Sequence, residues 1–196
     1  MPEINYQNTN ISFQQLARDL SDDNVTVFSL KDVTIEGNDL DMRFSRTLRG
    51  HPRLKEFSLV NVKCSDPEAN INQTVEMVLV TCPKIETLRI DNTKISASAI
   101  VATGYCSTLK RLLLPNNDLH DEDAALIAPA VAVNMSVIHV DLRGNDMTDL
   151  GCAAFSAALE KNIALQKLEL DGNGRISGGA LSKVSYTLSE RSAKAA

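Results

Sequence analysis

Along the C-terminal half of the chain, apolar and polar residues alternate in a recurring order. Leu165, Leu168 and Leu170 precede Asn173; Val137, Val140 and Leu142 precede Asn145; Leu109, Leu112 and Leu114 precede Asn117. The sets begin at residues 109, 137 and 165, a spacing of 28 residues each time. Apolar positions two apart suit a short strand with one buried face. The asparagine falls where the chain must turn, and its short amide can bond backbone groups that the strand leaves unpaired there. Beyond each turn the apolar spacing lengthens to that of a helix, with Ala125, Ile127 and Val131 in one unit, Leu150, Ala154, Phe155 and Leu159 in the next, and Leu181, Val184 and Leu188 in the last.

Towards the N-terminus the pattern loosens but keeps its phase. Ile85, Leu88 and Ile90 lead to Thr93 at the asparagine position, Leu54, Phe57 and Leu59 lead to Val62, and Val25, Phe28 and Leu30 lead to Val33. About six units therefore start near 25, 54, 85, 109, 137 and 165 and fill residues 25–192. Each has too little surface to fold alone, so stacking must build one continuous core. Ahead of them, Ser12-Phe-Gln-Gln15 is a capping box that opens a short helix, with Phe13, Leu16, Ala17 and Leu20 on one face. Residues 1–24 are read as an N-terminal cap containing that helix, and 193–196 as a tail.

The three C-terminal units resemble leucine-rich repeats of the ribonuclease-inhibitor-like class. The segment Leu142-Arg-Gly-Asn-Asp-Met-Thr-Asp-Leu-Gly-Cys-Ala-Ala-Phe carries the most specific match. The shorter third unit, with Cys82 and Cys106 each three residues before the first apolar position, also resembles the cysteine-containing subtype of F-box substrate adaptors. The resemblance covers residues 25–192 and implies an α/β solenoid, a curved slab with a parallel β-sheet on the concave face and helices on the convex face. The class includes ribonuclease inhibitors, tropomodulin-like actin cappers, Ran GTPase-activating proteins and the sensor regions of NOD-like receptors. Their functions differ, so the fold does not name the activity.

Composition narrows the field. A net charge of −5 and a pI near 5.2 argue against nucleic acid, whose phosphates need a concentrated positive field. Five Phe, three Tyr and no Trp leave little for stacking on bases. No run approaches the ~20 apolar residues of a membrane span, so membrane insertion is not expected. The N-terminal residues lack the basic and apolar blocks of a signal peptide, which gives a cytoplasmic expectation. The three histidines, His51, His120 and His139, form no metal pair at helical spacing, and no Cys-x-x-Cys occurs. Cys64, Cys82, Cys106 and Cys152 read as buried small hydrophobes. The glycine-rich stretch from Gly172 to Gly179 lacks the Gly-Lys-Ser/Thr ending of a phosphate cradle, and no Gly-x-Ser-x-Gly elbow is present. The chain is thus read as not an enzyme, with no cofactor, metal or small-molecule substrate.

Residues alternating with the buried strand positions point out of the sheet. They form columns, of which the first is Val27, Glu56, Thr87, Arg111, His139 and Lys167. Units three to five gather Arg89, Arg111, Leu113, His139, Asp141 and Arg143, a cluster of guanidinium groups around an apolar centre. Arginine is favoured at binding hot spots because its planar fork pairs with carboxylates. The expected function is a non-enzymatic protein–protein interaction scaffold, binding a protein partner through the concave face or the C-terminal edge, as a subunit of a larger assembly. The alternative is a GTPase-activating protein resembling the Ran activators.

Overall fold

The computed structural model describes residues 3–36, 45–65 and 71–194. Strand β1 (Glu3–Ser12), helix α1 (Phe13–Asp19), and strands β2 (Val27–Glu36), β3 (Glu56–Val60) and β4 (Lys63–Cys64) come first. Helix α2 (Asn72–Thr81), β5 (Thr87–Asp91), and α3 (Ala97–Ile100) with its 3₁₀ extension Val101–Tyr105 follow. The chain then alternates through β6 (Arg111–Leu113), α4 (Asp121–Val133), β7 (His139–Asp141), α5 (Asp149–Lys161), β8 (Lys167–Glu169) and α6 (Gly178–Lys194). The strands pair in parallel in the order β1-β2-β3-β5-β6-β7-β8, with β4 beside β2.

One buried residue from each of β2, β3, β5, β6, β7 and β8 lines up behind the sheet: Phe28, Phe57, Leu88, Leu112, Val140 and Leu168 stand in successive register. The Phe28 and Phe57 rings stack with centroids 5.4 Å apart. The helices close the other side of this core through Val75 and Val78 of α2, Ile127 and Val131 of α4, and Phe155 and Leu159 of α5, all buried. Two residues read as inward-facing are not: Ala125 is exposed, and Leu150 is 73% exposed. Ala124 and Cys152 take the inward positions, because each helix starts in a phase fixed by its N-cap, His120 or Thr148.

Ser12 accepts a hydrogen bond from Gln15 N and opens α1, burying Leu16 and Leu20; the side chain of Phe13 lies outside the described residues. Ahead of that helix is a strand that the apolar spacing did not indicate. In β1, Ile4 and Tyr6 stand opposite Phe28 and Leu30 and half-bury against the core. At the other end α6 runs to Lys194, past Ser192, where the last unit was expected to stop; residues 195–196 lie outside the described ones.

The asparagines bind the units to one another. Asn145 Nδ2 donates to Leu114 O (3.0 Å) and Leu142 O (2.8 Å), while its Oδ1 accepts from Asn117 N (2.9 Å) and Leu119 N (3.1 Å). Asn117 does the same one unit earlier, donating to Ile90 O and Pro115 O and accepting from Thr93 N. Asn173 does so one unit later. Thr93 makes a reduced version, accepting from Val62 N and donating to Asp91 O. Val33 and Val62 cannot, and here the chain stays extended and uses strand pairing instead: Thr34 and Ile35 of β2 pair with Lys63 and Cys64 of β4 on one side and with Asn10 and Ile11 of β1 on the other.

A second set of ties joins the helix ends. Asn134 Nδ2 donates to Thr103 O (2.6 Å) and Cys106 O (2.8 Å), and Asn162 Nδ2 donates to Val131 O and Asn134 O (2.6 Å each). Cys82 occupies the corresponding helix end, and its thiol donates to Leu48 O at 3.3 Å. Burial pushes that thiol up to about 11, so it remains a neutral donor.

Replacing Asn145 by Ala removes four buried hydrogen bonds in two units and should cost about 2–4 kcal/mol. Asp171→Ala, at an exposed position, should stay within about 0.5 kcal/mol. Urea unfolding followed by circular dichroism compares the two; equal midpoints would remove the asparagine tie as a stabilising element.

Candidate protein-binding face

The outer surface of the sheet carries columns of side chains fixed by strand register. One contains Glu3, Val27, Glu56, Thr87, Arg111, His139 and Lys167; the next contains Asn5, Ser29, Ser58, Arg89, Leu113, Asp141 and Glu169. A third begins Gln7, Lys31, Val60 and Asp91. Backbone bonds from Asn92 N to Pro115 O, Asn116 N to Arg143 O and Gly144 N to Asp171 O carry the ladder on past the strands.

A row of residues with left-handed φ crosses the units, Asn8 and Asp32 within β1 and β2, and Asn61, Asn92, Asn116, Gly144 and Gly172 just beyond β3, β5, β6, β7 and β8. Asparagine, aspartate and glycine tolerate that region best. The side chains at these positions link in turn, Asn61 Nδ2 to Asp32 Oδ1 (2.7 Å) and Asn92 Nδ2 to Asn61 Oδ1 (3.1 Å). At Gly144 (φ +66°) a Cβ would fall 2.2 Å from Asn116 Oδ1, so the row changes from asparagine to glycine where the turns close up.

The six candidate residues do share this face, but most of its charge is internally compensated. Arg143 donates to Asp141 from its backbone N (3.0 Å), Nε (2.9 Å) and Nη2 (2.8 Å), and Asp141 is only 2% exposed. Arg89 Nη2 bonds Asp91 Oδ2 at 2.5 Å, and Asn116 Nδ2 bonds the other oxygen at 3.0 Å. His139 Nε2 lies 2.6 Å from Glu169 Oε2, while Lys167 Nζ and Arg143 Nη1 lie 3.0 Å and 3.8 Å from Glu169 Oε1. Arg111 differs: it is exposed, its Nε donates to Thr87 Oγ1 at 3.0 Å, and no carboxylate pairs with it among the described residues. Leu113, read as an exposed apolar centre, is half-buried, because Arg89 and Asp141 flank it in its own row.

The carboxylates respond to this packing. Burial pushes Asp141 up, but the hydrogen bonds and charge of Arg143, with the nearby His139, outweigh it and hold the carboxyl below the ordinary range. Glu169 is also lowered overall: the bonds from His139 and Lys167 and the charge of Arg143 outweigh its burial and the repulsion of Asp141. At the edge where helices begin, Asp121 accepts from Thr148 Oγ1 and N and from Gly151 N, which lowers its carboxyl and ties α4 to the start of α5. Among the described residues no group of three or more His, Cys, Asp or Glu could hold a metal ion, and no helix is long and apolar enough to cross a membrane.

Residues 133–156, which run from the end of α4 through β7 into α5, match the family model described as Leucine Rich repeat. The fold is that of a leucine-rich repeat solenoid. It is similar to that of the tropomodulin C-terminal domain of Caenorhabditis elegans, with a TM-score of 0.56 and 15% identity over 93% of this chain and 94% of that one. Weaker similarity links it to a structure titled Leiomodin-1 Actin-Binding Site 2, with a TM-score of 0.41 and 20% identity over 50% of this chain and 72% of that one. A chain from an octameric complex of Latrophilin 3, Unc5D and FLRT2 (LRR) gives a TM-score of 0.45 and 15% identity over 94% of this chain and 51% of its own. No curated protein matches the sequence significantly.

Sequence reasoning placed Asp141 in the cluster but left out two of the acids that neutralise the face. Asp91 and Glu169 are as much part of the site as the arginines. Their signal was available, since opposite charges two apart on one strand, as in Arg89 and Asp91 or Lys167 and Glu169, must lie on the same face.

Because Asp141 and Glu169 ionise more easily in the folded than in the unfolded chain, they stabilise the fold above the unfolded carboxylate range. That contribution is lost as pH falls through their lowered folded values. Urea midpoints from about pH 7 to about pH 3 should fall less steeply for Asp141→Asn than for the unsubstituted protein. Parallel pH profiles would remove Asp141 from the acid response.

Proposed function

We propose that the protein is a non-enzymatic scaffold that binds a protein partner through its sheet face, centred on Arg111 and Leu113. Arg89, His139, Asp141 and Arg143 frame that centre. The observation that supports this is the contrast on the face: Arg89 and Arg143 are held by Asp91 and Asp141, whereas Arg111, beside a half-buried leucine, has no carboxylate partner among the described residues. A guanidinium next to an apolar patch matches a partner group with a carboxylate and an apolar neighbour, and such anchors dominate interface energies.

The mechanism is rigid display. Strand register and buried asparagine ties hold the columns in place before docking, so little conformational entropy is lost on binding. The same reading takes the C-terminal units as ribonuclease-inhibitor-like, on their 28-residue spacing, and residues 1–24 as the terminal unit that covers the first repeat. It takes the site of action to be the cytoplasm. The outer edge of β8 is the second candidate surface for assembly with another subunit.

The test is affinity purification from native lysate with the unsubstituted protein and with Arg111→Ala/Leu113→Ser. The doubly substituted protein should recover its partner about tenfold less well or worse, with an unfolding temperature within about 2 °C of the parent. A partner recovered equally by both proteins would reject the sheet face as the binding site.

A further inference from the structure

The edge where each helix ends and the next strand begins is built from connecting segments that lie side by side. Lys110 N donates to Glu86 O (2.8 Å), Ile138 N to Lys110 O (2.9 Å) and Gln166 N to Ile138 O (2.9 Å). Behind them the amides of Asn134 and Asn162 tie successive helix ends together. Five apolar side chains project from this edge: Tyr105, Val133, Met135, Ile138 and Ile163 are 86%, 66%, 57%, 36% and 83% exposed. They are neighbours across units. A Cβ on Gly104, next to Tyr105, would touch Val133 Cγ2 at 3.5 Å, and Met135 and Ile163 each directly follow one of the tied asparagines. A single exposed apolar residue carries no message, but a row of them on adjacent repeats marks an interaction surface.

Charge is segregated on the same edge. Segments 51–55, 82–86, 105–110, 133–138 and 161–166 carry Arg53, Lys55, Lys84, Lys110 and Lys161, all exposed, against Glu86 alone, whereas the segment before β2 carries exposed Asp22 and Asp23. Lys55 is paired with Glu86 at 3.1 Å. Helix dipoles attract cations to C-terminal turns, yet of helices α2 to α5 only α5 has a basic residue in its last turn, Lys161. The other four cations lie beyond the helices, so dipole compensation does not account for them.

Basic and apolar residues also occupy different stretches. Four of the five cations, Arg53, Lys55, Lys84 and Lys110, precede β3, β5 and β6, where Tyr105 is the one exposed apolar side chain of the row, whereas Val133, Met135, Ile138 and Ile163 precede β7 and β8, where Lys161 is the one cation. The five strands concerned, at ~4.8 Å spacing, make an edge of about 20 Å. A helix of about 13 residues has that length. We infer that this edge docks a helical segment of a partner protein, acidic at one end and apolar at the other. An anionic bilayer is the less suitable occupant, because it draws on buried apolar area and headgroup attraction at the same place, and here the cations and most of the apolar side chains lie towards opposite ends of the edge.

A random peptide library displayed on phage, selected against the native protein, tests the inference. The selected peptides should combine acidic residues with an apolar stretch, and their synthetic forms should bind in fluorescence polarisation more weakly as salt rises. Affinity should fall about tenfold or more in Tyr105→Ser/Ile163→Ser and in Lys84→Glu/Lys110→Glu, with unchanged unfolding temperatures. It should persist in Arg111→Ala/Leu113→Ser, which separates this edge from the sheet face. Selected peptides indifferent to both edge variants, or a library yielding none, would overturn the inference. So would binding of unsubstituted protein to phosphatidylserine-containing vesicles with loss in both edge variants while no peptide binds.

Discussion

Every repeat must pair the backbone groups it buries where strand gives way to helix and helix to strand, and the rest of the structure follows from how it does so. Inside a parallel ladder each strand supplies its neighbours' partners. At the turns that supply stops, and a buried unpaired N–H or C=O costs about 1–3 kcal/mol. Asn117, Asn145 and Asn173 meet this need at one edge, and Asn134 and Asn162 at the other, each reaching from its own unit into the one before. The ties run between units, so a unit is complete only when its neighbour is present. Where valine replaces the asparagine, at positions 33 and 62, the requirement is unchanged and the solution is different: β1, β2 and β4 continue the sheet through the region that the later units turn in.

That requirement also sets what the surface can present. With register fixed, side chains from successive units fall into columns about one strand spacing apart, and like charges in one column would repel. The face avoids this by interleaving acids. Asp91, Asp141 and Glu169 each hold a cation from their own or an adjacent strand. The result is a mostly neutralised lattice, and of the candidate cations Arg89, Arg111, His139 and Arg143 it is Arg111 that has no carboxylate partner among the described residues. At the starts of α4 and α5, Asp121, Glu122, Asp123 and Asp149 make one edge acidic, while the opposite edge from β3 to β6 is predominantly basic.

How much of this the sequence displayed depended on repetition. From residue 109 onward three copies at one spacing made strand, turn and helix plain. The looser apolar pattern kept its phase and extended that reading to units with Thr93, Val62 and Val33 at the asparagine position. Strand β1 escaped notice because its apolar pair, Ile4 and Tyr6, is followed by a polar run through Asn10, and Asn8 breaks the alternation with a left-handed residue. Only pairing with β2 makes a strand of it. The second row of asparagines was legible in principle, since Asn134 and Asn162 are 28 residues apart and each stands three before an apolar position, as Cys82 and Cys106 do. The half-burial of Leu113 was not, because it depends on Arg89 and Asp141 in neighbouring strands rather than on anything beside it in the chain.

Alternation along each strand separates binding from stability. Leu112 and Val140 point into the core, while Arg111, Leu113 and His139 point out, and none of these three outward residues supplies an asparagine tie. The edges obey the same division: Met135 and Ile163 project next to asparagines whose amides point inward and are fully engaged. Outward positions can therefore vary with the partner while the inward ones keep the period. For this chain the consequence is two surfaces, the sheet face and the helix-end edge, built on one set of buried ties but sharing no side chain. A loss confined to one surface is then attributable to binding, whereas a loss at both points back to the ties.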